Sequence, residues 1–213
     1  MKTSRFLGTF VGAGVAVVVA LYLALHILRP EFNPLRRFLS EYAVGRFGML
    51  MTANFFVQAG VSLSLAIGLL VDVRGSGALR AGGLLLVLTA ALLFVLGVFP
   101  ADLSESADGS VHSVTRAGAV HQAAGTISFL CRIIAFFLLS RAYRHDARWQ
   151  AFAPTAARVA WAFLGLFVVF LVVVRWNLGG LAQRTAVGVG LLWMFLSGQR
   201  LRTQPARVDA PAA

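Results

Sequence analysis

The chain has 213 residues, of which 59% are hydrophobic and only 13% charged. A soluble domain carries about twice that share of charge, so the long uncharged runs fit lipid as their solvent. The net charge of +11 would point to nucleic acid in a soluble protein. Here the arginines sit between apolar runs instead of on one patch, which makes them topology determinants and argues against a nucleic-acid partner.

The first run, Phe6 to Leu28, is bracketed by Arg5 and Arg29. It predicts a helix of about 34 Å, long enough to cross a bilayer. It is too long for a signal peptide and lacks a small-x-small site before Arg29-Pro30, so it reads as a retained anchor. Gly8-x-x-x-Gly12 on this run offers a close-packing face, from which a homo-oligomer is an expectation.

After the first run, Asn33-Pro34 makes a good N-cap and first turn. Leu35, Phe38, Leu39 and Tyr42 then recur at helical spacing, which predicts a short helix in the first loop, lying in the membrane interface. Its plainer role is to cap the bundle.

Five further runs follow: Phe47 to Val71, Ala81 to Phe99, Ala119 to Leu139, Val159 to Val174 and Leu178 to Leu196. The fifth is short and has room to start near Ala156. The sixth contains Gln183 and Arg184 and is the least apolar. Gly75-Ser-Gly77 and Phe99-Pro100 punctuate the connections. The predicted fold is therefore all-α, an integral membrane bundle of six transmembrane helices over residues 1–202, followed by a disordered tail from 203 to 213.

Eleven Lys and Arg residues fall on the side of the termini and seven on the other, which predicts a cell-membrane protein with both termini cytoplasmic. Lys2 is the only lysine, and with so much alanine, glycine and valine the composition fits a GC-rich bacterial genome. The single cysteine, Cys131, sits inside an apolar run, so no intramolecular disulfide and no Cys/His zinc pattern exists.

Polar residues inside the runs carry most of the functional information, because each is expensive to insert. A central arginine costs ~2.5–3.5 kcal/mol and should face protein or water. On the fourth run His121, Gly125, Ser128 and Arg132 fall on one stripe, with Arg132 about 16 Å deeper than His121. Asn54, Gln58 and Ser62 form a matching stripe on the second run, and Tyr22 and His26 stack near the end of the first. No acidic residue within a run can neutralise Arg132. Two readings stay open: interhelical hydrogen bonds that hold the bundle together, or an outward-facing polar pocket with Arg132 as its floor.

At the outer mouth the hairpin between the third and fourth runs brings Asp102 near His121, with Glu41 and His26 on the same surface. A carboxylate beside an imidazole can orient it for acid–base work, hold a metal, or simply form an ion pair. Zinc would draw on His121, Asp102 and either Glu41 or a second histidine. Haem would need His26 and His121 on opposite sides of one iron, with no slot of small residues to receive it. No cofactor is therefore expected. His112 and His145 read as surface residues.

Ser40-Glu41-Tyr42, Phe99-Pro-Ala-Asp102, Gly118-Ala-Val-His121 and Gly179-Gly-Leu-Ala-Gln-Arg184 occur in this order. On these residues the chain resembles the domain of unknown function 998 family, small prokaryotic multi-pass membrane proteins, over about Phe6 to Arg202. The chain departs from the resemblance at Gln183, where an acid is expected. The resemblance implies the architecture and brings no activity with it.

The leading functional expectation is a non-enzymatic membrane protein whose pocket binds or senses a lipid headgroup or small solute. Candidate pocket residues are Asp102, His121, Ser128, Arg132, Asn54, Gln58, Glu41, His26 and Arg184, with membrane lipids as partners. The alternative is a metal-dependent membrane hydrolase or transferase using Asp102 and His121. A transporter lacks support, since no inverted repeat is evident.

Overall fold

The computed structural model describes residues 2–103 and 114–204. Six long helices fill them: α1 (Lys2–Leu28), α2 (Gly48–Asp72), α3 (Gly77–Val98), α4 (Arg116–Tyr143), α5 (Ala153–Val173) and α6 (Gly179–Thr203). Five of them, α1 to α5, are long and apolar enough to cross a membrane, and there is no strand among the described residues. The polar segment 104–113, with His112, and the tail from 205 onward lie outside the described residues.

Each helix begins and ends where local chemistry dictates. Ser76 caps α3 by accepting from Leu79 N–H at 3.1 Å, which starts that helix earlier than Ala81. Thr115 caps α4 in the same way through Gly118 N–H at 3.0 Å. Pro154 occupies the first turn of α5, where a missing N–H does no harm, and α5 starts at Ala153, well before Val159. Asn177, in the left-handed region at φ 58°, separates α5 from α6. α6 runs past Leu196 to Thr203, because Gln199, Arg200 and Arg202 lie near its end, where long side chains reach polar surroundings.

The helices form a closed ring in sequence order. Each packs on the next, and α6 closes against α1. The closing contact depends on glycine: a Cβ at Gly8 would meet the backbone of Gly198 and Arg202 at 2.6 Å. Gly8 and Gly12 thus serve an intrachain contact, the kind of close approach small residues permit. The core beside α4 is aromatic, with Phe136 stacked on Trp193 of α6 at 4.1 Å and Tyr143 on Trp149 of the turn after α4 at 4.6 Å.

Two charged knots hold the ends of the ring. At the end bearing the termini, Arg148 bonds the Asp72 carbonyl and pairs with the carboxylates of Asp72 and Asp146 at 3.4 Å. Trp149 Nε1–H donates to Asp72 Oδ2 at 2.9 Å, and Arg200 and Gln204 donate to the Arg148 carbonyl. The turns after α2 and α4 and the end of α6 are thereby tied together. At the opposite end, buried Arg29 donates to Glu31 and to the carbonyls of Val44 (2.9 Å) and Arg46 (2.8 Å). These bonds hold the turn in which Gly45 and Phe47 take φ of 78° and 63°. For Phe47 that conformation is strained and persists because its surroundings fix it.

The short helix between α1 and α2 is present, but tighter and placed differently from the spacing's prediction. It is a 3-10 turn, Leu39–Ala43, with Leu39, Glu41 and Tyr42 buried. Asn33 Oδ1 accepts from Leu35 N–H at 2.9 Å and makes a turn there, so no helix starts at Asn33. The segment is tucked into the end of the ring rather than lying flat on its surface.

Candidate functional site

The ring encloses a cavity of about 300 Å³ at the end opposite the termini, lined by residues from all six helices and the 39–43 turn. Its floor is Arg132, 3% exposed and midway along α4. Among the described residues Arg132 makes one hydrogen bond, Nη2–H to Ser128 Oγ at 3.4 Å, and its guanidinium lies 5.2 Å from the centroid of the Phe129 ring. Nε is buried without a partner. Tyr22 and Gln58 stand on the opposite wall, where Gln58 Nε2–H donates to Tyr22 Oη at 2.9 Å. Higher up the walls turn apolar, with Met51, Phe55, Leu96, Phe167 and Phe170.

Glu41, Asp102, His121, Gln58, Ser128 and Arg132 all line this cavity. Asn54, His26 and Arg184 do not, and their hydrogen bonds explain why. Asn54 Nδ2–H donates to the Val18 carbonyl at 3.0 Å, stapling α2 to α1, while Ser62 staples α2 to α3 through the Leu86 carbonyl at 2.8 Å. The α2 stripe therefore divides, its ends holding helices together and its middle facing the cavity. His26 Nδ1–H donates to the Tyr22 carbonyl at 2.6 Å, which leaves Nε2 to accept from Arg184 Nε–H at 2.9 Å. Both ring nitrogens are committed, with no lone pair left for a metal. Arg184 also donates to the carbonyls of Arg37 and Gly180. Together with Leu39 N–H donating to Gln183 Oε1 at 2.7 Å, this network docks the 39–43 turn onto α6. Gln183 thus works as an acceptor where the family resemblance implied an acid.

Asp102 and His121 lie near each other but are not ion-paired. Asp102 accepts from the N–H groups of Val114 (2.8 Å) and Thr115 (2.9 Å) and from Thr115 Oγ1 (2.7 Å), while His121 Nδ1–H donates to the Phe99 carbonyl at 2.6 Å. Each spans the α3–α4 hairpin independently. Gly118 has no room for a Cβ beside the Asp102 carboxylate. Glu41 is likewise committed, accepting from Phe38 N–H at 2.6 Å and pairing with Arg37 at 3.1 Å. Among the described residues no three His, Cys, Asp or Glu side chains converge as metal ligands. The donor set of Asp102, His121 and a third ligand therefore does not fit zinc as placed.

Hydrogen bonds from Thr115 hold the Asp102 carboxyl below the usual carboxylate range. At Asp146, burial pushes the other way, but the N–H groups of Arg74 and Arg148 and the Arg148 guanidinium outweigh it and the net shift is downward. Both groups therefore contribute stability that is complete above the unfolded carboxylate pKa of about 3.9 and lost as pH falls through the lower folded value. Melting temperature in nanodiscs should be level above about pH 5 and fall in stronger acid. Asp102→Asn should lower the plateau and make that fall shallower. An unchanged profile would mean that the hairpin bonds contribute nothing.

Sequence reasoning did not single out the phenylalanines of the cavity wall. Phe129 stacks on Phe167 at 5.4 Å, and Phe38 meets Phe170 edge-on at 6.0 Å. Of these only Phe38 was marked by its spacing, and the others carry no signal in the sequence because their partners come from different helices.

Ring, cavity and apolar spans together define a helical multi-pass membrane protein. Residues 10–200 match the family described as Protein of unknown function (DUF998), and the chain belongs to that family. No curated protein and no solved structure matches it.

Proposed function

We propose that the chain is a non-enzymatic binding or sensing protein whose cavity takes an anionic group, from a lipid or a small solute, with Arg132 as the receiving cation. One observation carries this reading. A guanidinium 3% exposed, with no carboxylate partner among the described residues and an unpaired Nε, forms the floor of a cavity. Placing such a group in a membrane is costly, and a bundle needing only interhelical bonds has Asn54 and Ser62 for that purpose. Tyr22 Oη, which accepts from Gln58, keeps its own O–H as a donor suited to carboxylate or phosphate oxygens beside the arginine.

Phosphate and acetate added to the protein in nanodiscs are expected to raise its melting temperature, by an amount equivalent to ~2.7 kcal/mol at a hundredfold excess over Kd. Arg132→Gln should show no such response. A response that survives in Arg132→Gln would remove the floor from the reading.

The arginine distribution supports termini in the cytoplasm and a cavity near the outer face. A reporter active only in the cytoplasm should work when fused after Arg202. Activity of an export-dependent reporter at the same point would invert the orientation.

A further inference from the structure

The cavity is not walled equally on all sides. α5 buries Ala153, Ala156, Ala160, Phe163 and Phe167, and none of its residues beyond Phe167. Since α5 starts at the end bearing the termini, its last six residues, 168–173, which lack a buried one, lie at the cavity end. α4 and α5 are also the most sparsely packed neighbours in the ring. Three cavity-lining residues on this side, Gln122 and Thr126 of α4 and Leu171 of α5, are exposed on the outer surface of the bundle. A side chain that lines a cavity and is also exposed marks where the cavity reaches that surface.

Depth decides what the gap faces. Gln122 and Thr126 lie six and ten residues into α4, about 9 and 15 Å along its axis. Half of a hydrocarbon core is about 15 Å, so the gap faces the acyl chains of one leaflet. Polar side chains on a lipid-facing surface at that depth are unusual. They line the same cavity as Ser128 and Arg132. The rim at the loop end, by contrast, is closed over by the 39–43 turn, where Glu41 is paired with Arg37, and by the Asp102 hairpin bonds. The volume of about 300 Å³ is at the low end for a small-molecule site and too small for a diacyl lipid.

We propose that the cavity takes a single-chain amphiphilic anion, such as a fatty carboxylate, admitted from the bilayer between α4 and α5. The head passes Gln122 and Thr126 and is held by Arg132. The chain lies against the rings of Phe129, Phe167 and Phe170 and leaves through the gap. This rests on the anion-binding reading above and adds the ligand class and the route.

Dodecanoate and acetate share a head and differ in the chain, so the two probes separate the readings. Binding of each is measured to the full chain in phosphatidylcholine nanodiscs, well above the carboxylate pKa, and corrected for uptake by nanodiscs without protein. Dodecanoate should bind at least about tenfold more tightly than acetate. Thr126→Trp and Leu171→Trp, which fill the gap from either side, should each weaken dodecanoate about tenfold and leave acetate unchanged, acetate serving as the control for folding. Arg132→Gln should weaken whichever probe binds. Equal affinity for the two probes overturns the amphiphile while leaving the anion site standing. So does full dodecanoate binding in both tryptophan variants, and so does loss of both probes there, because acetate needs no lateral gap. No binding of either probe, or binding indifferent to Arg132→Gln, overturns the anion site and this proposal with it.

Discussion

Arg132→Leu is expected to melt at a higher temperature than the unaltered chain when no anion is present. The arginine is desolvated, and a hydroxyl at 3.4 Å and one ring face repay little of that. Its removal leaves no orphan behind, because Ser128 Oγ–H still donates to the Gly125 carbonyl at 2.8 Å. Replacing poorly compensated buried charge by an apolar side chain can stabilise by ~1–4 kcal/mol. For a chain of this size each kcal/mol moves the midpoint by about 2–4 °C. The same variant should lose all stabilisation by added anions, a gain in stability at the expense of a site. Thermal melts in nanodiscs with and without phosphate check both halves. A lower midpoint for the anion-free variant would make Arg132 part of the bundle's polar glue.

Asp72→Ala is expected to produce the largest loss of stability. It removes the acceptor of the fully buried Trp149 indole and one of the two carboxylates facing Arg148. A hydrogen bond to a charged group contributes about 1.5–3 kcal/mol, and breaking one side of a partly buried pair adds to it. The expected loss is about 3 kcal/mol. Asp72→Asn keeps an oxygen for the indole and should lose roughly half as much. Chemical or thermal unfolding of the reconstituted protein measures both, and equal losses would assign the whole effect to charge.

The run positions were legible because a crossing helix needs about 20 apolar residues and the breaks between them are polar or glycine- and proline-rich. The ring was not, since which helix closes on which depends on Gly8 meeting Gly198, far apart in sequence. The α4 stripe was legible from spacing alone, and its deep end does meet a cavity. On α2 the same spacing gave one stripe, whereas in the structure Gln58 lines the cavity, bonded to Asn54 Oδ1 at 2.8 Å, and Asn54 and Ser62 do not. The acceptors that draw those two away are backbone carbonyls of Val18 and Leu86, which no pattern of side chains encodes. Asp102 and His121 were placed correctly in space but not in partnership. Thr115 and Phe99, residues of the hairpin itself, take the bonds that pairing would have used.

Closure of the ring through α1 and α6 also orders its biogenesis. Of the six helices α1 is made before the others, with the glycine face of Gly8 and Gly12 unmatched, and its partner α6 follows the other four. α6 carries Gln183, Arg184, Gln199, Arg200 and Arg202 and is poorly suited to entering lipid alone. The five earlier helices must therefore assemble first as an open arc with a vacant slot between α1 and α5. A chain stopped before Gly179 would leave the face of Gly8 and Gly12 without the helix that covers it.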